Sequence, residues 1–235
     1  MTQHERPDRY LYEWQLDALT AWLACGRRGV VEAVTGSGKT DMALAAIADA
    51  HRRGLFVMVV VPTRVLIAQW HERLVTAFPD LKIGRLGDSK RDQPDQCDVL
   101  VATRHSAASQ RPVPEEGKGG LLIADECHGF GGGVLRKALI GDYNERLGLT
   151  ATLERSDNAI ERVILPYFGG VCFRYDFAAA IEDGVCAQPR VAFVSVPLET
   201  KERAEYVATE QQLVEARQVL RAIPKMPMNF SDFLS

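Results

Sequence analysis

The chain has 235 residues, of which 46% are hydrophobic and 25% charged, as in an ordinary folded globular protein. Lys and Arg total 28 against 31 Asp and Glu, so the net charge of −3 gives no overall basic field, although a local basic groove remains compatible with nucleic acid. The longest apolar run, at 55–61, is too short to span a bilayer, and the N-terminus has no signal-peptide core, so we expect no membrane partner. The five cysteines are scattered, which predicts free thiols. Together these features predict a cytoplasmic or nucleoid-associated protein.

The first part of the chain alternates helical patterns with short apolar runs. Residues 13–25 have apolar positions at helical spacing and end at Gly26, which favours a helix stop. The runs at 30–34, 55–61, 99–102 and 121–124 predict strands, and helices are predicted between them at 40–51 and 64–78. Apolar runs without polar alternation are typical of strands covered on both faces. The pattern therefore predicts an α/β fold, a doubly wound and mostly parallel sheet with its ligands at the carboxyl ends of the strands.

The remaining segments are predicted as three loops, three strands and one long helix. Turn-forming residues predict loops at 87–97 and 110–120, and the glycine run at 130–134 predicts a flexible surface loop. A strand is predicted at 146–149. Two more follow at 171–175 and 191–196, and a long charged helix is predicted at 199–223.

A glycine-rich loop, AVTGSGKT, lies between the first predicted strand and the next helix. Such a loop turns its backbone N–H groups toward phosphate oxygens, its Lys reaches the β- and γ-phosphates, and its final hydroxyl ligates Mg²⁺. Ala33 replaces the first glycine of the strict pattern and Gly-Ser-Gly also occurs in plain turns, but the strand–loop–helix context favours phosphate binding. The residues expected at the nucleotide are Thr35, Gly36, Ser37, Gly38, Lys39 and Thr40.

An acidic motif, LLIADECH, ends the strand predicted at 121–124. Asp125 is expected to hold Mg²⁺ together with Thr40, and Glu126 to align or deprotonate an attacking water. Cys127 is expected to be a small packed neighbour rather than a nucleophile. The two motifs predict an ATP-Mg²⁺ site whose catalytic residues are Lys39, Asp125 and Glu126.

Further short patterns accompany these two motifs in chain order. They are Gln15 in LYEWQLDAL, Pro62-Thr63-Arg64 before a helix containing Gln69-Trp70, Thr103 after a strand, His128 in the acidic motif, and Thr150-Ala151-Thr152 after Leu149. Over about residues 10 to 200 the series resembles the Q, I, Ia, Ib, II and III motifs of superfamily-two helicases and translocases. VPTRVLIAQW and LGLTATLERSD are similar to xeroderma-pigmentosum-group-B-like and type III restriction-like DNA helicases, and DECH disfavours the DEAD-box RNA helicases.

The resemblance implies a RecA-like P-loop NTPase domain and a role for each pattern. Gln15 and His128 would both belong to the nucleotide-binding residues: Gln15 would contact the adenine, and His128 would bridge from the metal motif toward a second domain. Thr150, Ala151 and Thr152 would couple the γ-phosphate side to the nucleic-acid side. Contacts to a nucleic-acid backbone are implied for Pro62, Thr63, Arg64 and Thr103.

The resemblance also implies a second RecA-like domain that donates arginines to the reaction, in cis or in trans. We find no Gln-x-x-Gly-Arg-x-Gly-Arg pattern in the chain. We therefore expect an N-terminal segment at 1–28, a RecA-like domain at 29–170 and an extension at 171–235 toward that second domain. The predicted function is the N-terminal motor domain of an ATP-dependent DNA helicase or translocase with little ATPase activity alone.

Three alternatives remain open on the sequence. An RNA helicase of the DExH type would depend on the 2′-hydroxyl, which the motifs do not reveal. A nucleotide-gated nucleic-acid-binding subunit would complete its site with a partner chain. An unrelated P-loop enzyme such as a kinase would share the phosphate loop but not the patterns at Pro62–Arg64 and Leu149–Thr152.

Overall fold

The computed structural model describes residues 11–188, 197 and 199–222, with side chains to residue 216 in the last helix. The chain divides into two compact units, Met1–Gln188 and Pro189–Ser235. The boundary expected after residue 170 therefore lies inside the first unit, because residues 171–175 form a strand of that unit's sheet. The strand expected at 191–196 lies outside the described residues.

The first unit is built on an eight-stranded sheet of order β4-β3-β5-β2-β6-β7-β1-β8. All neighbouring pairs are parallel except β3 and β4. The strands are β1 Arg28–Ala33, β2 Phe56–Val61, β3 Ile83–Gly87, β4 Lys90–Arg91, β5 Val99–Thr103, β6 Gly120–Asp125, β7 Glu145–Thr150 and β8 Val171–Tyr175.

Helices cover both faces of the sheet, as expected for a doubly wound layer. They are α1 Glu13–Ala24, α2 Lys39–Arg52, α3 Arg64–Ala77, α4 Arg104–Gln110, α5 Leu165–Phe168 and α6 Phe177–Glu182, and the second unit contains α7 Thr200–Ala222. A π-helical turn, Ile160–Ile164, leads into α5. Within the described residues no helix combines the length and apolarity needed to cross a membrane.

Two apolar layers explain why the central strands lack polar residues. Every residue of β2 and of β5 is buried. One layer includes Trp22 and Leu74, from helices packed on one face, and the other includes Phe130 and Phe168 on the opposite face. Strands buried on both faces produce the continuous apolar runs from which the parallel sheet was predicted.

Local chemistry explains where the predicted helices begin and end. α1 stops as predicted, with Cys25 as its C-cap and Gly26 in the left-handed region at φ +67°. The Thr63 hydroxyl caps α3 by accepting the N–H of Leu66 at 3.4 Å. The helices predicted at 13–25, 40–51, 64–78 and 199–223 are thus present as α1, α2, α3 and α7.

The segment at 87–97 was predicted as a loop, and this prediction is wrong in part, because the segment contains a strand and a 3-10 turn. Strands β3 and β4 form a tight antiparallel hairpin in which Gly87 pairs with Lys90, and a 3-10 turn, Pro94–Gln96, follows. Asp88 and Ser89 connect the strands with φ of 51° and 66°, the left-handed values that a two-residue hairpin turn requires. Because β4 is short, exposed and polar, it has no hydrophobic signature.

Candidate nucleotide site

The carboxyl edge of the sheet brings the predicted motifs together. The phosphate loop follows β1, the acidic motif follows β6 and the Thr150 segment follows β7. The parallel register sets Glu32 beside Thr150 and Asp125 beside Leu149, so that these three strands end at the same level. Sequence-distant motifs therefore share one edge, as expected for ligand sites of doubly wound sheets.

Two glycines give the phosphate loop its shape. Gly36 and Gly38 have φ of +82° and +93°, in the region that favours glycine. Between them Ser37 is buried and its hydroxyl donates to the carbonyl of Val34 at 2.8 Å. Gly38 is also the N-cap of α2, so the loop leads directly into a helix N-terminus. This geometry suits an anion because helix N-termini present free N–H groups.

The ammonium of Lys39 lies in the phosphate loop. Its Nζ donates to the carbonyl oxygens of Ala33 at 2.7 Å and Val34 at 3.2 Å. Burial lowers the pKa of Lys39, while Glu126 and Asp125 act in the opposite direction. A partly desolvated cation facing two carboxylates can exchange its carbonyl partners for a phosphate, whose charge makes stronger hydrogen bonds.

The carboxylate of Asp125 is held by two donors. Its Oδ2 accepts the indole Nε1–H of Trp70 at 2.9 Å, and its Oδ1 accepts the backbone N–H of Glu126 at 3.1 Å. Burial raises the pKa of Asp125, and the hydrogen bond from Trp70 and the charge of Lys39 oppose that shift. A bound cation would stabilise the ionised form of this buried group.

The donor chemistry fits Mg²⁺. Thr40 in the first turn of α2 offers a hydroxyl and Asp125 a carboxylate, both hard oxygen ligands. In the described part of the chain no three His, Cys, Asp or Glu side chains are grouped to hold a metal. Mg²⁺ is commonly bound through one or two protein oxygens together with waters and substrate phosphates, so such a cage is not required.

Glu126 has an unusual backbone for a residue with a side chain. Its φ of 50° and ψ of 54° are left-handed, a conformation that costs about 1–3 kcal/mol and is tolerated where the surroundings enforce it. Cys127 beside it is fully buried, and a Cβ added at Gly148 would lie 3.1 Å from its Sγ. Cys127 is therefore a packed neighbour, as predicted, and its burial raises the pKa of the thiol, which disfavours the nucleophilic thiolate.

His128 connects the acidic motif to the segment after β7. Its Nδ1 lies 2.9 Å from the Thr150 hydroxyl and 3.4 Å from Oε2 of Glu126. Because Thr150 donates its only hydroxyl proton to the carbonyl of Thr152 at 2.7 Å, Nδ1 of His128 is the donor to Thr150. A hydrogen-bonded chain thus joins His128 to Thr152, with Ala151 between the two threonines, and the Glu126 carboxylate lies beside its His128 end.

Gln15 is buried against the phosphate loop. Its Nε2 donates to the carbonyl of Gly38 at 2.8 Å, and its Oε1 accepts the backbone N–H of Tyr12 at 2.8 Å. A Cβ added at Gly38 would lie 2.7 Å from that Nε2. The Nε2 end of the amide therefore ties α1 to the loop, while the Oε1 end caps the start of α1 itself, structural roles that its position in the sequence did not indicate.

The four residues expected at nucleic acid line one groove of about 430 Å³. Thr63 caps α3 and Thr103 caps α4, where its hydroxyl accepts the N–H of Ser106 at 3.2 Å. Residues of the β3–β4 hairpin and of α4 complete the lining. The full lining is Pro62, Thr63, Arg64, Gly87, Asp88, Ser89, Lys90, Arg91, Thr103, His105, Ser106 and Gln110.

Sequence reasoning missed the hairpin cations and the contact of Trp70. Lys90 and Arg91 lie in the segment treated as a loop, although the turn residues Asp88 and Ser89 signal a hairpin. Trp70 and Asp125 are 55 residues apart, and no local pattern links them.

Residues 9–155 match the family described as "Type III restriction enzyme, res subunit". The curated DNA 3'-5' translocase XPB2 of Sulfurisphaera tokodaii is 29% identical over 206 residues, covering 86% of this chain and 44% of that protein. The putative DNA 3'-5' helicase Rad25 of Halobacterium salinarum is 33% identical over 186 residues, covering 77% of this chain and 30% of that protein. The chain thus spans less than half the length of these relatives.

Solved structures share the fold at low sequence identity. A Sulfolobus solfataricus SWI2/SNF2 ATPase core in complex with dsDNA has a TM-score of 0.57 at 18% identity, covering 68% of this chain and 36% of that one. The UvsW helicase from bacteriophage T4 has a TM-score of 0.58 at 20% identity, covering 69% of this chain and 59% of that one.

The predicted motifs occupy one edge of the predicted sheet, and the family match covers most of the first compact unit. The likeness to the solved structures adds the fold alone. The chain therefore belongs to the type III restriction enzyme res subunit family, as a superfamily-two helicase domain of the first RecA-like kind.

Proposed function

We propose that this chain is the N-terminal motor domain of an ATP-dependent DNA helicase or translocase. One observation carries the proposal: Lys39, Asp125 and Glu126 meet at the edge of a sheet whose neighbouring strands and helices form a basic groove. A phosphate-binding loop and a separate groove suited to a phosphodiester backbone belong together in a machine that couples nucleotide turnover to movement on nucleic acid. The whole protein's activity is part of this proposal because the chain spans only part of its relatives.

At the nucleotide each residue has a distinct task. The N–H groups of Thr35, Gly36, Ser37 and Gly38 bind phosphate oxygens and Lys39 balances their charge. Thr40 and Asp125 hold Mg²⁺, which when bound neutralises charge on the phosphates. Glu126 orients the attacking water and takes its proton, and Gln15 positions the loop next to the adenine. Charged hydrogen bonds of this kind supply most of the catalysis of phosphoryl transfer.

The chain from Glu126 through His128 to Thr150 and Thr152 supports a coupling role. Rearrangement at the γ-phosphate would move the Glu126 carboxylate, which lies 3.4 Å from Nδ1 of His128, and that change would reach Thr150 and Thr152. His128 and Ala151 lie at the edge that a second RecA-like domain is expected to face. That domain, in cis or in trans, would complete hydrolysis by contributing arginines.

The groove supports sequence-independent binding of a nucleic-acid backbone. Thr63 and Arg64 at the start of α3, Pro62 before them and Thr103 at the start of α4 offer hydroxyl, guanidinium and backbone donors to phosphates. Phosphate contacts carry no base information and weaken as salt rises. DNA is preferred over RNA because the matched relatives are named DNA translocases and helicases. The five unpaired thiols favour a reducing compartment such as the cytoplasm or nucleoid.

The test is ATP turnover by this chain, alone and completed by a second RecA-like domain in cis or in trans, with and without single-stranded DNA, double-stranded DNA or RNA. We expect turnover only with the second domain, with stimulation by DNA, and loss of that turnover in the Glu126→Gln variant. Stimulation by RNA alone would select the DExH RNA helicase. No stimulation by any polymer would reject the motor and favour a nucleotide-gated subunit, and rapid hydrolysis by these 235 residues alone would reject the need for a second domain.

A further inference from the structure

We propose that Trp70 is a positioning residue that orients the Asp125 carboxylate for Mg²⁺ and links it to the nucleic-acid groove. The inference rests on the proposed function, because it requires Mg-nucleotide at Asp125 and a nucleic-acid backbone in the groove. It concerns a residue that touches neither ligand and acts through the carboxylate alone.

The first step is the contact itself. Trp70 is 3% exposed, and its indole Nε1–H donates to Oδ2 of Asp125 at 2.9 Å. The other carboxylate oxygen, Oδ1, accepts the N–H of Glu126 at 3.1 Å. With one donor on each oxygen the carboxylate cannot rotate without losing a hydrogen bond. Its remaining lone pairs therefore keep a fixed direction, the condition under which a carboxylate ligates a metal without first being ordered.

The second step is the choice of acceptor. Buried indoles usually find a hydrogen-bond partner, and a backbone carbonyl is sufficient for packing. Trp22, fully buried, donates in that way to the carbonyl of Arg146 at 3.1 Å. Trp70 instead donates to the side chain of the one aspartate in the acidic motif. This donor supports a ligand group, as the outer-shell partners of metal sites do.

The third step is the helix that carries the indole. α3 begins at Arg64, after its cap Thr63, and both residues line the groove. Trp70 is seven positions after Thr63, close to two helical turns and about 10 Å along the axis. On this helix Ile67, Trp70 and Leu74 are buried against the sheet. A phosphate that draws the start of α3 toward the groove would therefore shift the indole N–H at the carboxylate.

The test compares Trp70→Phe with Trp22→Phe, which makes the same substitution at a buried tryptophan far from the site. ATP binding by each variant is titrated at increasing Mg²⁺ and again in EDTA. Outer-shell changes of this type cost about 10- to 100-fold in metal affinity, so we expect Trp70→Phe to raise the half-saturating Mg²⁺ at least about tenfold. Its affinity for ATP in EDTA should be unchanged, and Trp22→Phe should retain the wild-type Mg²⁺ dependence. Equal Mg²⁺ dependence in all three proteins would overturn the proposal.

A second readout does not require Trp70→Phe to fold. The chain has three tryptophans, so a proton–nitrogen NMR spectrum of the wild type contains three indole N–H signals, and Trp14→Phe and Trp22→Phe identify the Trp70 signal by elimination. Adding Mg²⁺ to the ATP-bound wild type should move the Trp70 signal and leave that of Trp22 in place. A Trp70 signal that does not respond while signals of the phosphate loop do would overturn the proposal even if Trp70→Phe failed to fold.

The link to the groove is tested by repeating the Mg²⁺ titration with saturating double-stranded DNA at low salt. In the wild type DNA should change the half-saturating Mg²⁺, and in Trp70→Phe it should bind without that effect. An equal DNA effect in both proteins, or none in the wild type, would overturn the link. Failure of the proposed function is a different result, since the wild type would then bind neither Mg-ATP nor DNA.

Discussion

At the scale of single residues, the nucleotide site contains groups whose charge or backbone conformation lowers the stability of the folded protein. Burial lowers the pKa of Lys39, which means that its ammonium is disfavoured in the folded protein, yet two loop carbonyls hold it there. Glu126 likewise occupies a left-handed backbone conformation. Groups kept at a cost to folding are typical of functional sites, because selection retains them for chemistry rather than stability.

The first prediction follows from that cost. Lys39→Ala should lower ATP affinity by about ten- to a hundredfold, the value of a hydrogen bond to a charged group, without lowering the thermal midpoint. Glu126→Gln should keep ATP affinity and, where a second RecA-like domain completes the site, block turnover. Calorimetric titration with ATP and thermal unfolding measure both, with Lys118→Ala as the control at an exposed lysine. A large fall in the midpoint of Lys39→Ala would contradict the interpretation.

The second prediction concerns the thiols. Burial raises the pKa of Cys97 and of Cys172 to about 11, while Cys25 is exposed. The thiolate is the reactive form, so a raised pKa slows alkylation at pH 8 and the rate should climb as pH approaches 11. Mass spectrometry after brief iodoacetamide treatment at pH 8 should find Cys25 modified well before Cys97, Cys172 or Cys127. Rapid labelling of Cys127 in folded protein would show that the acidic motif is not packed as described.

At the scale of elements, the hairpin of β3 and β4 adds two cationic residues, Lys90 and Arg91, to the lining of the groove. It is closed by Asp88 and Ser89, and Gly87 pairs with Lys90, so the cationic residues Lys90 and Arg91 lie on a short paired strand rather than on an unpaired loop. Both cationic residues are exposed. The hairpin therefore extends the set of phosphate donors beyond the helix N-termini at Thr63 and Thr103.

The third prediction tests that extension. Lys90→Gln and Arg91→Gln should each weaken DNA binding similarly for any base sequence and reduce the slope of log affinity against log salt by about 1. Lys118→Gln is the matched control, since Lys118 lies before β6 at the opposite edge of the sheet and pairs with Glu115 at 2.6 Å. Fluorescence anisotropy at several salt concentrations measures the slope. Unchanged slopes in both hairpin variants would remove the hairpin from the binding surface.

The elements also separate what local sequence determines from what it does not. The runs in β1, β2, β5 and β6 were predictable because both faces of these strands are buried, and α1 to α3 because one face is. Strand β4 has only two residues, both exposed, and helix α4 has only seven residues, so neither has enough buried positions to produce a periodic pattern of hydrophobic residues. The motif residues were predictable by resemblance, whereas the bonds of Gln15 to Gly38 and of Trp70 to Asp125 depend on tertiary packing.

At the scale of the whole molecule, the pairing of β8 with β1 shows that the sheet of the first unit extends past residue 170. It pairs in parallel with β1, the strand that carries the phosphate loop, and the N–H of Val30 donates to the carbonyl of Gly170 at 2.9 Å. Tyr175 at its end stacks on Trp14 of α1 with ring centroids 4.6 Å apart. The strand thus covers one side of β1 and holds the helix that contributes Gln15 to the loop.

The last prediction compares chains ending at residue 188 and at residue 170. The longer one keeps β8 and the whole first unit, so it should unfold cooperatively and bind ATP as the full chain does. The shorter one leaves β1 as an edge with unpaired backbone groups and removes the partner of Trp14, so it should aggregate or lose ATP binding, since long exposed edge strands invite association. Thermal unfolding, light scattering and ATP titration distinguish the two. If the two chains unfold and bind ATP equally well, the boundary of the first domain lies at residue 170 and β8 is an accessory strand. If the chain ending at residue 188 loses ATP binding, residues beyond 188 support the nucleotide site.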